Sequence, residues 1–364
     1  MHKQYLLLAL DQAWLGRGRC APNPSVGAVA VHEGRIIAQT WHRGAGTPHA
    51  EQLLLEQLPK NITGITLYVT LEPCNHWGKT PPCVDAIIQF GIKKVVYAYR
   101  DPNPVVIANN TPRRLNEQGI DVFHYPLPEI NAFYQSYHYW IVNQKPWVTV
   151  KLAQTMDGKI AGIGGKSVPI SNETCRVFTH KQRQHSDILL TTAKTVNEDD
   201  PLLNVRLNEE EIAKPVAIID TRLALNPKAK VFQSAKHCHI YYDEQYQNPP
   251  IYPNSSCHPI SATKGLLNLE TIILNLGQKG YHDIWVEAGG TLFNALHLAR
   301  LVNKTYIYLS PKVLGERALS VYHHPDIFHQ THQVTWNHMG DNVMATYDWV
   351  TSSSTMLRDP CSQG

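Results

Sequence analysis

The 364-residue chain lacks the features typical of membrane, secreted and polymer-binding proteins. No apolar run approaches the roughly 20 residues that a membrane-spanning helix needs, and the longest one near the N-terminus, residues 6–10, ends at Asp11. The net charge is only +3, which gives no broad basic surface for nucleic acid. The seven cysteines are odd in number and scattered, unlike a disulfide framework. These absences predict a cytoplasmic protein with free or metal-bound thiols and no membrane or nucleic-acid partner.

The chain has enough residues for two hydrophobic cores. At roughly 100–200 residues per domain, 364 residues exceed one ordinary domain, and 43% hydrophobic residues suit globular folding. A boundary is expected at residues 143–146, where an aromatic-rich helix pattern stops and Pro146 precedes a new strand pattern. The sequence therefore predicts domains at residues 1–145 and 146–350 and a polar, disordered tail at 351–364.

Helix and strand patterns alternate, which predicts two α/β domains, the first with a largely parallel sheet. In the first domain, residues 26–31 and 34–41 form a predicted hairpin, and antiparallel pairing is expected there alone. Further strands of this domain are predicted at residues 66–71, 94–99 and 121–125. Strands of the second domain are predicted at residues 147–153, 187–190, 216–220, 239–242, 284–286 and 305–309.

One histidine and two cysteines have the spacing of a catalytic zinc site. His49 and Cys83 stand at predicted helix starts, and Cys74 follows a strand and a proline. One imidazole and two thiolates fill three tetrahedral positions and leave the fourth for water, whose pKa zinc lowers toward about 7. Glu51 is then a candidate proton carrier. The alternatives are three unrelated buried side chains or a structural zinc knuckle, which would be expected to have a fourth protein ligand.

Three stretches of the second half carry candidate residues for another site. Residues 151–161 are typical of a strand that leads into a glycine turn, and residues 195–206 hold several polar side chains. In residues 284–291, a strand delivers Gly289 and Gly290 to a helix start, where backbone N–H groups can bind a cofactor phosphate. Standing alone, the glycine pair is more typical of a tight turn.

Together these motifs resemble the family of bifunctional riboflavin-biosynthesis deaminase–reductases. The resemblance rests on Pro22-Asn23-Pro24, His49-Ala50-Glu51, the run PCNHWGKTPPC at residues 73–83, Asp101-Pro102-Asn103-Pro104 and the three stretches above. It covers roughly residues 3–350, and the long cysteine spacing is its most specific mark, because other cytidine-deaminase-like enzymes usually have C-x-x-C. It implies an N-terminal cytidine-deaminase-like three-layer α/β domain and a C-terminal dihydrofolate-reductase-like domain.

The resemblance also implies zinc and NADPH as cofactors and a small phosphoribosyl-pyrimidine as substrate. The first domain would deaminate 2,5-diamino-6-(5-phosphoribosylamino)pyrimidin-4-one, and the second would reduce the ribosyl group to ribityl, giving 5-amino-6-(5-phosphoribitylamino)uracil. The implied deaminase pocket residues are Asn23, His42, His76, Lys79, Asp101 and Asn103. Lys79 would face the phosphate, although an exposed loop lysine is the plainer interpretation. A homo-oligomer through the second domain, a dimer or tetramer, is also implied.

For the second domain, the resemblance implies cofactor contacts, substrate contacts and two ionisable groups near the reacting carbon. The NADPH contacts would be Ala153, Thr195, Asp199, Thr221, Gly289, Gly290, Thr291, Leu292, Phe293, Asn294 and Ala295. The substrate contacts would be Ser167, Arg183, Leu203, Arg206 and Glu287. The two arginines suit a phosphate by charge and geometry. Lys151 and Asp199 would be the catalytic pair, acting by positioning or polarisation; a surface strand lysine is the alternative for Lys151.

Two segments depart from the family pattern. Members typically continue after the Asp101 motif with V-x-G-x-G, whereas residues 106–110 of this chain are VIANN, so a different loop path is expected. Pro169 replaces an aromatic residue that would stack on the cofactor.

Two other functions stay open on the sequence alone. A nucleic-acid deaminase would share the zinc motif but is disfavoured by the low net charge. A non-catalytic zinc-stabilised binding protein would unfold in its first half when the metal is removed, whereas a catalytic site would lose activity with its fold largely kept.

Overall fold

A computed structural model describes residues 1–78, 81–322, 328 and 332–349. The chain divides into two compact units, Met1–Pro146 with Gly277–His282, and Trp147–Leu276 with the residues from 283 onward. The tail at residues 351–364 lies outside the described residues. Among the helices of the described part, none is both long and apolar enough to cross a membrane.

The first unit is built on a five-stranded sheet of order β2-β1-β3-β4-β5. Its elements are α1 (His2–Gly16), β1 (Gly27–His32), β2 (Arg35–Trp41), α2 (Ala50–Glu56), β3 (Thr66–Leu71), α3 (Cys83–Phe90), β4 (Lys94–Tyr99), α4 (Pro104–Asn109), α5 (Thr111–Glu117), β5 (Asp121–His124), α6 (Pro128–Phe133) and α7 (Gln135–Asn143). As predicted, β3, β4 and β5 are parallel and β1 and β2 form a hairpin.

Antiparallel pairing is not confined to the hairpin, so that expectation was wrong. β1 is antiparallel to β3 as well as to β2. The reason is topological: β2 and β3, joined through α2, run in the same direction, and β1 lies between them. The opening hairpin therefore forms part of the main sheet.

Close packing of α1 on β1 fixes the start of this sheet. α1 buries Leu6, Ala9 and Ala13 completely. Gly27 permits the approach, because a Cβ there would lie 1.9 Å from the carbonyl oxygen of Ala9. The strand that follows the Asn23 loop is thereby held in one position.

The second unit contains a nine-stranded sheet of order β13-β12-β11-β8-β16-β6-β17-β20-β19. Its elements are β6 (Trp147–Thr155), β7 (Lys159–Ile163), α8 (Glu173–His185), β8 (Ile188–Thr192), α9 (Ala193–Asp199), β9 (Val205–Leu207), β10 (Glu210–Ile212), β11 (Pro215–Ile219), α10 (Val231–Ser234), β12 (His237–Asp243), β13 (Ser255–Ile260), β14 (Ala262–Thr263), β15 (Leu266–Leu267), α11 (Leu269–Gln278), β16 (Asp283–Glu287), α12 (Gly290–Leu298), β17 (Lys304–Ser310), β18 (Ala318–Ser320), β19 (His332–Met339) and β20 (Asn342–Trp349).

Parallel pairing runs from β13 to β17, and β20 is antiparallel to both β17 and β19. The six strands predicted for this half are all present, as β6, β8, β11, β12, β16 and β17. Because β6, β8, β11 and β16 are parallel, their carboxyl ends meet at one edge of the sheet. Ligands of open α/β sheets bind at such an edge.

Candidate active sites

His49, Cys74 and Cys83 come together in the first unit. Each offers one donor atom, and these atoms all lie within 4.8 Å of one another. His49 Nδ1 is 3.2 Å from Cys83 Sγ and 3.4 Å from Cys74 Sγ. His49 immediately precedes α2, Cys83 begins α3, and Cys74 lies in the loop after β3. One imidazole and two sulfurs suit zinc, and within the described residues this group includes no fourth protein ligand.

Hydrogen bonds make Cys74 the more acidic thiol of the pair. The Cys83 side chain, and then His49, lower the pKa of Cys74. The backbone N–H of Cys83 also donates to Cys74 Sγ over 3.3 Å. Burial raises the pKa of Cys83, whereas the hydrogen bond with Cys74 raises that of His49. Negative charge in the free protein therefore resides most readily on Cys74.

Glu51 lies in the first turn of α2 and is almost fully buried. Burial is the main cause that raises the pKa of its carboxyl to about 7, and the nearby Cys74 adds to the effect. A carboxyl with such a pKa can both accept and release a proton near neutral pH.

A cavity of about 330 Å³ opens beside these residues. Its lining includes two of the candidate ligands, His49 and Cys74, together with Glu51 and the predicted pocket residues Asn23, His42, His76, Asp101 and Asn103. Lys79 lies outside the described residues, so its assignment to the phosphate stays a prediction.

His42 is held in one orientation at the cavity wall. Its Nδ1 is 3.1 Å from the Pro48 carbonyl oxygen, and its Nε2 is 3.2 Å from Asn23 Nδ2. Burial lowers the pKa of His42, which favours the neutral ring. Both hydrogen bonds form in the tautomer whose Nδ1–H donates to the Pro48 carbonyl oxygen, while Nε2 accepts from the Asn23 amide.

Asp101 and His76 present polar atoms near the same cavity. Asp101 Oδ1 accepts hydrogen bonds from the Asn103 backbone N–H at 2.9 Å and from the Tyr137 hydroxyl at 3.0 Å. Burial raises the pKa of Asp101. Among the residues that the structure describes, the buried Nδ1 atom of His76 has no hydrogen-bond partner. An unpaired buried polar atom beside a cavity marks a point where a polar ligand group would be stabilised.

Sequence reasoning missed Tyr137 and Trp140 as residues of this site. Both belong to α7 and line the cavity. The Tyr137–Asp101 hydrogen bond joins residues 36 positions apart. The aromatic-rich pattern of α7 indicated a helix, but it held no signal for the element that these side chains would contact.

In the second unit, Arg183 and Glu287 form a largely buried ion pair. Arg183 Nε and Nη2 donate to the two carboxylate oxygens over 2.6 and 3.0 Å, and Nη1 donates to the Asn204 carbonyl over 2.9 Å. Trp285 Nε1 donates to Glu287 Oε1 over 2.8 Å. Although burial opposes ionisation, Arg183 holds the pKa of Glu287 at about 2. These two predicted substrate contacts therefore bind each other.

Lys151 lies beside Glu287, opposite it in the register of β6 and β16. Its Nζ stands 5.4 Å from the centre of the Tyr308 ring. Burial lowers the pKa of Lys151, while Glu287 raises it. A half-buried lysine beside a fixed carboxylate does not fit the alternative of a surface strand lysine.

Arg206 shares one partner residue with Arg183, since both donate to Asn204, but at different oxygen atoms. Its backbone N–H donates to His180 Nδ1 over 3.0 Å, and its Nη1 donates to Asn204 Oδ1. Burial and the two nearby arginines lower the pKa of His180 to about 4, so this ring is a neutral acceptor. Leu203 is buried with a positive φ of 48°.

The predicted cofactor contacts gather at the carboxyl edge of the nine-stranded sheet. Ala153 lies near the end of β6, Thr195 follows β8, Thr221 follows β11, and Gly289 follows β16. Asp199 is the exposed last residue of α9, and Ser167 is also exposed.

Helix α12 begins at the glycine pair. Gly289 is its N-cap, and no atom of the described residues lies within 4 Å of the place where its Cβ would stand. A Cβ on Gly290 would lie 3.1 Å from the Val321 carbonyl oxygen. Within α12, Thr291 is exposed and Ala295 half-buried, whereas Leu292, Phe293 and Asn294 are buried. Contact with a ligand at this end would therefore involve the backbone rather than these three side chains.

Two protein-family models match the chain. The model described as "RibD C-terminal domain" matches residues 146–344, and the one described as "Cytidine and deoxycytidylate deaminase zinc-binding region" matches residues 1–99. The riboflavin biosynthesis protein RibD of Haemophilus influenzae is 34% identical over 94% of this chain and 96% of that protein. The Escherichia coli protein of the same name is 35% identical over 86% and 89%, respectively.

Solved structures show the same architecture. RibD of Acinetobacter baumannii matches with a TM-score of 0.83 at 28% identity, over 96% of this chain and 99% of that one. A diaminohydroxyphosphoribosylaminopyrimidine deaminase/5-amino-6-(5-phosphoribosylamino)uracil reductase of Thermotoga maritima matches with a TM-score of 0.84 at 31% identity, over 96% and 99%. The predicted fold class, a cytidine-deaminase-like domain followed by a dihydrofolate-reductase-like domain, is confirmed.

Proposed function

Since this chain belongs to the RibD family of bifunctional riboflavin-biosynthesis enzymes, with a zinc-binding deaminase domain and an NADPH-using reductase domain, we propose its substrate and the residues that carry each reaction. The first reaction is hydrolytic deamination of 2,5-diamino-6-(5-phosphoribosylamino)pyrimidin-4-one. The second is reduction of the ribosyl group to ribityl, giving 5-amino-6-(5-phosphoribitylamino)uracil. The observation that carries the proposal is a zinc-type donor set and a buried glutamate beside one cavity.

His49, Cys74 and Cys83 would hold the zinc, because their donor atoms already stand close together. When bound, zinc supplies a Lewis acid that makes a water molecule more acidic. Glu51 would take a proton from the attacking water and give it to the departing ammonia. Its carboxyl suits both steps because burial brings its pKa to about 7.

The cavity residues would bind the pyrimidine and exclude bulk water. The neutral ring of His42, oriented by Asn23, would contact the pyrimidine ring in a fixed orientation. The carboxylate of Asp101 would accept a hydrogen bond from a substrate amine, and the buried Nδ1 of His76 would contact another polar group of the substrate. Asn103 lies on the same wall, and Lys79 would bind the phosphate.

In the second domain, NADPH supplies a hydride when bound. The backbone at the start of α12, from Gly289, would bind a cofactor phosphate. Ala153, Thr195 and Thr221 would contact the rest of the cofactor along the sheet edge.

On the substrate side, Lys151 would orient the opened sugar, with Glu287 fixing its charge. Arg183 already pairs with Glu287, so Arg206 is the better candidate for the substrate phosphate. Asp199 would contact NADPH and act with Lys151 near the reacting carbon. Ser167 and Leu203 would contact the substrate.

Glu51→Gln tests the two-site assignment. The variant should keep its zinc and lose ammonia release by at least about 100-fold, because the amide cannot carry the proton. Oxidation of NADPH with the deaminated compound should be unchanged. Glu56→Gln, an exposed position in the same helix, is the matched control. Loss of both activities in folded Glu51→Gln protein would contradict the assignment. Release of ammonia by the parent protein from tRNA but not from the small pyrimidine would contradict it as well.

We further propose that the protein works in the cytoplasm as a homo-oligomer, a dimer or tetramer, without a nucleic-acid partner. The family resemblance and the low net charge of +3 support this. Light scattering coupled to size-exclusion chromatography measures the assembly directly, and a single species of monomer mass would contradict it.

A further inference from the structure

The segment that departs from the family sequence pattern forms a short helix, α4. Asn103 Oδ1 accepts from the Val105 backbone N–H over 3.1 Å and begins α4. Asn110, with a φ of 44°, ends α4 and caps α5 by accepting from the Arg113 backbone N–H. The chain therefore passes from α4 to α5 through one residue, and this fixes where Asn109 points.

Asn109 makes a reciprocal pair of hydrogen bonds with Asn75. The Nδ2 of each amide donates to the backbone carbonyl of the other residue, and both distances are 2.8 Å. Asn75 is buried and stands between Cys74, a candidate zinc ligand, and His76, a cavity residue. The pair therefore ties the zinc loop to the end of α4.

Two residues of α5 hold the same loop at other points. The hydroxyl of the fully buried Thr111 donates to the Pro73 carbonyl over 2.9 Å. Arg114 donates from Nη1 to Asn75 Oδ1 and from Nη2 to Asp85 Oδ1. Asp85 lies in the first turn of α3, two residues after Cys83. Arg114 thus joins the loop that carries Cys74 to the helix that carries Cys83.

We propose that Asn109, Thr111 and Arg114 are positioning residues that set the separation of the two cysteine ligands. Together they hold Pro73 and Asn75, the neighbours of Cys74 on either side, and Arg114 connects this loop to α3. Without Arg114, the buried Asn75 Oδ1 would lose its charged partner and the loop could shift relative to Cys83. The proposal rests on the proposed role of His49, Cys74 and Cys83 as zinc ligands.

Arg114→Ala and Asn109→Ala test the proposal in the full chain. Helix α5 offers matched controls: Arg113→Ala removes an exposed arginine that pairs only with Glu117 among the described ion pairs, and Asn116→Ala removes an exposed asparagine. The first readout is the rate at which each zinc-loaded protein loses metal to a colorimetric chelator. Mutation of residues that support the metal ligands typically lowers metal affinity or activity by about 10- to 100-fold. We therefore expect the two test variants to lose zinc about tenfold faster than the parent.

The second readout is the visible absorption of the cobalt-substituted proteins, which reports ligand geometry. The test variants should show shifted or weakened bands, and the controls should match the parent. NADPH oxidation should be equal in all five proteins, which shows that the second unit is intact, and equal circular dichroism spectra should show that the first unit is folded; if Arg114→Ala does not fold, Asn109→Ala is the deciding variant. Zinc loss and cobalt spectra in Asn109→Ala identical to those of the controls would overturn the proposal. A parent protein that holds no zinc would instead overturn the proposed function.

Discussion

At the scale of single residues, the surroundings of two glutamates shift the pKa values of their carboxyl groups in opposite directions. Burial raises the pKa of Glu51 to about 7. Glu287 is largely buried, but Arg183 and Trp285 donate hydrogen bonds to it, and its pKa is about 2. The first carboxyl is suited to proton transfer and the second to permanent negative charge.

Glu287→Gln should destabilise the second unit and abolish NADPH oxidation. Removing one partner of a buried ion pair costs about 3–5 kcal/mol, because Arg183 keeps its charge. Ammonia release should be unaffected. Thermal unfolding followed by circular dichroism, with both activities assayed separately, measures these effects; a variant as stable as the parent would contradict the structural importance of the pair.

The same ion pair predicts a pH dependence of stability. The folded pKa of Glu287, about 2, is below the roughly 4.3 of an ordinary glutamate. Its stabilisation is therefore complete above about pH 4.3 and is lost as the pH falls toward 2. Between about pH 6 and pH 3, the unfolding midpoint of the parent should fall more than that of Glu287→Gln. Equal falls in the two proteins would contradict the prediction.

At the scale of elements, helix starts and strand ends carry the chemistry. The sequence predicted that His49 and Cys83 stand at helix starts, because capping and periodicity are local signals. It did not predict α4, whose six residues are too few for a periodic pattern and depend on the Asn103 cap and the left-handed Asn110. The family resemblance implied Arg183 and Glu287 as separate substrate contacts. Their pairing was not predicted, because they are 104 positions apart and meet only through the order of the strands in the sheet.

Gly289→Ala tests whether the start of α12 binds NADPH. Within the described part of the chain, no atom lies close to a Cβ at this position, and the φ of −71° is ordinary, so the unfolding midpoint should not change. A bound cofactor would meet the added methyl group, and the dissociation constant for NADPH should rise several-fold in a fluorescence titration. Gly290→Ala should instead lower the midpoint, because its Cβ crowds the Val321 carbonyl oxygen at 3.1 Å. Unchanged NADPH affinity in Gly289→Ala would contradict this placement.

At the scale of the whole molecule, two compact units each hold one set of candidate residues. The sequence motifs were sufficient for the family and the fold class, because their spacing is specific and extends over both halves. Composition gave no sign that Gly277–His282 groups with the first unit, since that assignment depends on tertiary packing. The central claim is that the two reactions depend on separate chemistry: zinc with Glu51 in one unit, and NADPH with Lys151 in the other.

Zinc removal tests this claim most directly. The protein is treated with a chelator, and ammonia release from the diaminopyrimidinone and NADPH oxidation with the deaminated compound are measured separately. We expect ammonia release to disappear and return on addition of zinc, while NADPH oxidation and the fold persist throughout. Ammonia release that continues in zinc-free protein, or loss of both activities with the fold intact, would contradict the account.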